Sequence, residues 1–99
     1  MAEKEVTVLA LIKVKVGMEE KAKNELLSLV EPTRAEKGCI HYDLHQSLDH
    51  KNHFMFYENW VSKKDLDGHL SKPHMKVHLE KAGDLLAGPP EITLWERIG

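Results

Sequence analysis

The apolar positions of the chain recur with two different spacings, and each change of spacing marks a new element. Residues 6–16 are rich in β-branched side chains, which favours a strand. All even positions of this segment are apolar, and the odd positions add Leu9 and Leu11. A strand that is apolar on both faces needs a cover on both faces.

A helix is predicted next, because Glu19 and Glu20 place negative charge where a first helical turn favours it. Its apolar stripe at helical spacing consists of Ala22, Leu26, Leu29 and Val30. Pro32 lacks the N–H group that would bond to the Ser28 carbonyl, so the helix kinks or ends there, with Gly38 as its latest C-terminal boundary.

The middle of the chain predicts a hairpin. Residues 39–48 alternate in polarity, with Ile40, Tyr42 and Leu44 on one side, and residues 53–60 form a second strand beyond the polar turn at 49–52.

The remaining segments predict a helical region and a final strand. Ser62 and Asp65 have the spacing of a capping box, which starts a helix. Pro73 stands at the favoured first position of a further helical piece that runs to Gly83, and residues 91–98 form the last strand.

The order strand, helix, strand, strand, helix, strand is that of the split βαβ, ferredoxin-like α+β fold, and residues 1–99 make one such domain. Its helices cover one face of a four-stranded antiparallel sheet. The other face has no covering element, yet the first strand is apolar on that side too. An apolar face of that size is a liability in water, so we expect a homodimer with the two sheets face to face.

Composition narrows the class of protein. Hydrophobic residues make up 41% and charged residues 30%, with a formal net charge of −2, so there is no basic stripe for nucleic acid. No apolar run is long enough to span a membrane, and the charged segment 1–5 has no signal-peptide core. Cys39 is the single cysteine, which excludes an internal disulfide and a cysteine-based zinc cluster. We therefore expect a reduced, cytoplasmic protein.

Three short motifs carry a resemblance to a known family: residues 36–42 (EKGCIHY), 56–60 (FYENW) and 69–75 (HLSKPHM). In this order they resemble the antibiotic biosynthesis monooxygenase (ABM) domain family, in particular its YgiN-like quinol monooxygenases. The resemblance covers nearly the whole chain. It implies a dimeric α+β barrel with a pocket between sheet and helices. It also implies oxidation of a quinol or polycyclic phenol by molecular oxygen, without flavin or metal.

Such chemistry needs a base near neutral pH, a group that orients the substrate anion, and a dry apolar pocket. Histidine titrates in that range, so His69 and His74 are the predicted catalytic residues; the alternative is that they are surface or capping histidines. The predicted substrate-binding residues are Trp60, Glu58, Asn59 and Tyr42. For Trp60 and Tyr42 a core position is the favoured alternative, and for Glu58 an exposed or ion-paired carboxylate.

Seven histidines also raise the question of a metal. His74 and His78 are one helical turn apart and could share an ion, but zinc needs three or four ligands and no further ligand follows in a recognisable spacing. We therefore predict no metal site. In the haem-degrading branch of the resembled family an Asn on the first strand joins the site, and residues 6–16 contain none.

Two other functions remain open at this point. One is an isomerase of a small dicarbonyl sugar-phosphate-like substrate, which the resemblance also includes and which would need Arg34, Lys72 or Lys76 in the pocket. The other is a dimeric module that binds a hydrophobic ligand without catalysis, since small ferredoxin-like folds serve many functions.

Overall fold

The structure is a computed structural model and describes residues 4–99. The signal-peptide expectation rests partly on residues 1–3, which lie outside the described residues. The elements in chain order are β1 (Val6–Lys13), α1 (Glu19–Leu27), α2 (Val30–Arg34), β2 (Cys39–Gln46), β3 (His53–Trp60), α3 (Lys63–Leu70), α4 (Pro73–Leu85) and β4 (Glu91–Trp95).

The four strands form one antiparallel sheet in the order β2-β3-β1-β4. This is the ferredoxin-like arrangement, so the predicted fold class is confirmed. The register places Val8 of β1 level with Glu58 of β3, which in turn is level with Tyr42 of β2. These three side chains therefore share one face of the sheet.

The hydrophobic core lies between this face and the helices. Even-numbered residues of β1 and β3 face inward, and Val8, Phe56 and Trp60 are almost fully buried. Leu26 of α1 and Leu66 of α3 close the core from the other side. Every residue of β4 is exposed, which shows that the helices do not reach across the whole sheet.

Two local features differ from the pattern-based expectation. The first helical region is two helices: α1 ends at Leu27, and Pro32 lies in the first turn of α2, where an N–H group has no helical acceptor to lose. In β2 the register shifts between Cys39 and His41, so Ile40 sits in a bulge and is exposed instead of packing beside Tyr42.

Within residues 4–99, no helix combines the length and the apolar character that crossing a membrane requires.

Candidate active site

A cavity of about 330 Å³ lies between the inner face of the sheet and helices α3 and α4. Its walls are mainly apolar: Val8, Ala10 and Ile12 of β1, Ile92 and Leu94 of β4, and Leu66, Met75 and Leu79 of the helices. Its polar lining includes Tyr42, Glu58, His69 and His78. An apolar cavity with a few convergent polar groups is the usual form of a small-molecule site.

A second cavity of about 430 Å³ lies against residues 87–91 and the ends of β1 and β3. It contains none of the residues predicted for the site. The cavity of about 330 Å³ is lined by three of the predicted residues, Tyr42, Glu58 and His69, and is therefore the candidate active site.

Glu58 contributes a carboxyl group to the cavity from the end of β3. The residue is 5% exposed, and its Oε1 accepts a hydrogen bond of 2.9 Å from the Trp60 indole Nε1–H. Burial raises the pKa of Glu58 to about 7, although the indole donor opposes the shift. Glu58 forms no ion pair with any residue in the range 4–99. The favoured interpretation of an exposed or ion-paired carboxylate is therefore wrong.

His69 and His74 meet on a third residue, Glu36. One carboxylate oxygen of Glu36 lies 2.6 Å from His69 Nδ1 and 2.8 Å from His74 Nε2. Glu36 follows α2, His69 is in the last turn of α3, and His74 is in the first turn of α4. Because a carboxylate only accepts hydrogen bonds, both imidazoles donate to it.

The Glu36 contact determines which nitrogen of His69 is free. Since Nδ1–H donates to Glu36, the neutral ring keeps its lone pair on Nε2. The His69 ring lies 4.8 Å from the Trp60 ring and 5.6 Å, edge-on, from the Tyr42 ring, which hold its orientation. Burial lowers the pKa of His69, and the Glu36 carboxylate partly offsets this. His69 is thus a neutral acceptor at pH 7, oriented from behind by a carboxylate.

His74 has a different position. Its side chain is 22% exposed, does not line the cavity, and also lies 3.3 Å from the Thr33 hydroxyl through Nε2. Of the two predicted histidines, only His69 therefore meets the cavity.

Tyr42 and Trp60 stand beside His69. Tyr42 lines the cavity and stacks on Phe56 at 4.5 Å. Burial, and next the Glu58 carboxyl, raise the pKa of Tyr42, so it remains a hydroxyl at neutral pH. Trp60 is fully buried behind Glu58 and does not line the cavity, which confirms its core position.

Asn59 lies on the opposite face of the sheet. Its amide donates to the Thr7 hydroxyl at 2.8 Å, and its oxygen is 2.9 Å from His41 Nδ1. The expectation that Asn59 binds substrate beside Glu58 is not met in this cavity, because consecutive strand residues point to opposite faces.

Glu36, His69 and His74 together offer one carboxylate and two imidazole ligand atoms within 4.8 Å of one another, a set suited to a divalent transition metal. Ligand atoms around a tetrahedral zinc ion are about 3.4 Å apart, given Zn–N and Zn–O bonds near 2.1 Å. The observed separations of 2.6 and 2.8 Å are shorter and have the length of direct hydrogen bonds. His78, which is one helical turn from His74 and could have shared an ion with it, is not part of this cluster.

Two residues of the site were absent from the prediction: Glu36 and His78. Glu36 is 33 residues from His69 in sequence, and only the packing of α3 and α4 brings them together. The available signal was its place in the motif EKGCIHY. The cations expected for an isomerase, Arg34, Lys72 and Lys76, do not line the cavity; among the described residues Lys63 is the lysine that does.

Comparison with known proteins gives a family match for most of the chain. Residues 5–81 match the family model described as "Antibiotic biosynthesis monooxygenase". The chain is 35% identical over 95 residues to an uncharacterised Synechocystis protein, sll1783, covering 96% of this chain and 65% of that protein. It is 32% identical over 87 residues to the Bacillus subtilis protein named "Putative monooxygenase YcnE", covering 88% of this chain and 92% of that one.

Solved structures show the same fold. The crystal structure of PA3566 from Pseudomonas aeruginosa superimposes with a TM-score of 0.94 at 30% identity, covering 100% of this chain and 99% of that chain. The structure of Rv0793 from Mycobacterium tuberculosis gives a TM-score of 0.89 at 29% identity, with 96% of each chain covered.

Proposed function

The chain belongs to the antibiotic biosynthesis monooxygenase family, and from that premise we propose that it is a cofactor-independent monooxygenase of a quinol or polycyclic phenol. One observation carries the proposal: His69, with Glu36 bonded to its Nδ1, faces the same apolar cavity as Glu58. A neutral base and a carboxyl group whose pKa is about 7 are thus available in a mainly apolar cavity.

The reaction begins with a proton transfer. Molecular oxygen is a triplet and reacts slowly with closed-shell molecules, so the substrate must first become electron-rich. Loss of the phenolic proton gives a phenolate that can transfer one electron to oxygen, and the two radicals then combine at a ring carbon. One oxygen atom remains in the product as a carbonyl, and the other leaves as water with the two hydrogens that the substrate loses.

Each polar residue has a distinct role in this scheme. His69 Nε2 takes the phenolic proton, and the Glu36 carboxylate stabilises the imidazolium that forms, as a buried carboxylate does in other histidine-based sites. Protonated His69 then returns the proton to the leaving oxygen. Tyr42 donates a hydrogen bond to the phenolate, and Glu58 is the second acid–base group of the cavity.

We further propose that two copies associate through the sheet face turned away from the helices, here called the outer face. Its apolar residues include Leu9, Leu11, Met55, Tyr57 and Trp95. Leu11 is 46% exposed and Trp95 55% exposed in the single chain. Burying these side chains against a second copy removes them from water.

The test of catalysis is oxygen uptake with 1,4-dihydroxynaphthalene, corrected for its spontaneous oxidation. With oxygen-18 gas we expect one labelled atom in the product and one in water. Binding of the diol without enzyme-dependent uptake would contradict catalysis and favour a ligand-binding module.

Dialysis against a chelator tests whether the activity needs a metal ion. We expect full activity after dialysis against EDTA. Loss of activity that added metal restores would instead point to an ion at Glu36, His69 and His74.

A further inference from the structure

His78 is a buried histidine in the middle of α4 that the scheme above does not use. It lines the candidate cavity, and its side chain is 10% exposed. Its Nδ1 is fully buried and has no hydrogen-bond partner among residues 4–99. Buried polar nitrogens are rarely left unpaired, so this one needs an explanation.

The nearest charged groups explain the orientation of the ring. Glu25 Oε1 of α1 lies 3.6 Å from His78 Nδ1, and Lys81 Nζ lies 3.6 Å from Glu25 Oε2. At 3.6 Å the imidazole and carboxylate do not form a full hydrogen bond, but the carboxylate favours a proton on the nitrogen that faces it. Nε2 then carries the lone pair, and it is the nitrogen available to accept a hydrogen bond from a ligand.

His78 lies apart from the groups that begin the proposed reaction. It is four residues beyond His74 on α4, which moves it about 6 Å along the helix, away from the Glu36 cluster. Apolar side chains of Ala10, Ile12 and Met75 also line the cavity. His69 and His78 therefore offer hydrogen-bond acceptors at two separate points of the apolar cavity.

We propose that His78 Nε2 accepts a hydrogen bond from a second hydroxyl of the substrate, so that the site prefers an aromatic diol over a monophenol. The inference rests on the proposed function for the class of ligand. It concerns binding and does not require turnover. His78 is thus a specificity residue, while His69 remains the base.

The experiment compares two probes without oxygen. The dissociation constants of 1,4-dihydroxynaphthalene and 1-naphthol are measured by anaerobic calorimetry for the wild type and for His78→Leu. A single hydrogen bond corresponds to a factor of about three to ten in affinity. For each protein, the preference is the dissociation constant of 1-naphthol divided by that of the diol. We expect this preference to be about three to ten times larger in the wild type than in His78→Leu.

Two further variants serve as controls. His50→Leu changes an exposed histidine of the β2–β3 turn, outside the cavity lining, and should leave the ratio unchanged. His78→Gln, whose side-chain oxygen still accepts, should keep part of the preference. Should His78→Leu fail to fold, nitrogen-15 spectra of the wild type decide: the His78 Nε2 signal should shift with the diol and not with 1-naphthol.

The outcomes separate this inference from the proposed function. Equal ratios in the wild type and His78→Leu, or no binding of either probe, would overturn the role of His78. A diol preference that depends on His78, without any oxygen uptake, would support this inference and contradict the monooxygenase activity.

Discussion

At the scale of single residues, the site depends on two carboxyl groups in different environments. Glu36 accepts hydrogen bonds from two imidazoles, whereas Glu58 is buried with one indole donor. Burial raises the pKa of the Glu58 carboxyl and so favours its neutral form. The same side-chain chemistry therefore supports an orienting role in Glu36 and an acid–base role in Glu58.

Replacing His69 by Asn tests the base. The Asn amide nitrogen takes nearly the position of Nδ1 and can still donate to Glu36. Asn has no nitrogen at the position of Nε2, so it cannot accept the phenolic proton there. We expect kcat for oxygen uptake to fall by about 10²–10⁴-fold, the usual contribution of a positioned acid–base group, with a melting temperature close to that of the wild type. His74→Gln, which keeps a donor to Glu36 outside the cavity lining, should lose less than about tenfold.

The pH profile distinguishes His69 from Glu58 as the base. Protonation of His69 removes its lone pair, so kcat/KM should fall towards acid pH. Because burial lowers the pKa of His69, the midpoint should lie below 6.5. A midpoint near 7 that Glu58→Gln abolishes would transfer the role to Glu58.

Glu58 should also make stability depend on pH. Its carboxyl has a pKa of about 7 in the folded chain and an ordinary value of 4.5, so its contribution to stability is present below about pH 4.5 and is lost as the pH rises through 7. From pH 5 to pH 8, the free energy of unfolding of Glu58→Gln should rise relative to wild type by up to about 3 kcal/mol. Urea denaturation at both pH values measures this. The exposed control Glu20→Gln should show no such difference, and an equal difference in both variants would contradict the assignment.

At the scale of elements, the site depends on the junctions that bring three segments to one place. Gly38 ends the segment after α2 with a positive φ of 85° and lies against Asp65 of α3. Ser62 caps α3 by accepting from the Asp65 backbone N–H at 3.2 Å, as the capping box predicted. This junction holds Glu36 close to the end of α3 that carries His69.

Two glycines allow a matched test of that junction. Gly17 and Gly38 both have positive φ, but an added Cβ at Gly38 would overlap the Asp65 side chain, whereas at Gly17 it meets open space. Gly17→Ala should cost about 1–2 kcal/mol from backbone strain alone, and Gly38→Ala should cost clearly more. Urea denaturation of both variants measures the difference. Equal losses would show that the chain moves aside at Asp65 without penalty.

At the scale of the whole molecule, the helices cover only part of the sheet. All of β4 is exposed, and the outer face mixes apolar side chains with polar ones such as His41 and Asn59. Ile92 and Leu94 of β4 line the cavity and are still 57% and 49% exposed. The part of the sheet that the helices leave uncovered therefore also forms one open wall of the cavity.

The proposed dimer has a direct test. Leu11→Asp places a charge on the outer face, and we expect it to shift a dimer to monomer in analytical ultracentrifugation at micromolar concentration, because a buried unpaired charge is costly. Val77→Asp, at a similarly exposed apolar position on α4, is the control and should leave the mass unchanged. A wild type that sediments as a stable monomer would contradict the proposal.

Much of this protein follows from its sequence alone. Strand β3 spans the predicted residues 53–60, and α3 and α4 begin at the predicted capping residue and proline. These features depend on local chemistry: hydrophobic period, capping side chains and the missing N–H of proline act within a few residues. The alternation along β3 also implied that Asn59 lies on the opposite face of the sheet from Glu58 and Trp60. The prediction nevertheless named all three as substrate-binding residues.

Only the tertiary structure decided which polar groups meet. Glu36 reaches His69 and His74 across 33 and 38 residues, and His78 faces Glu25 through the packing of α4 on α1. The burial that raises the pKa of Glu58 depends on the helices above the sheet, and the bulge at Ile40 depends on the pairing of β2 with β3. Periodicity specifies the face on which a residue lies, but not its neighbours from distant segments. Those neighbours set hydrogen bonding and desolvation, and through them the chemistry of the site.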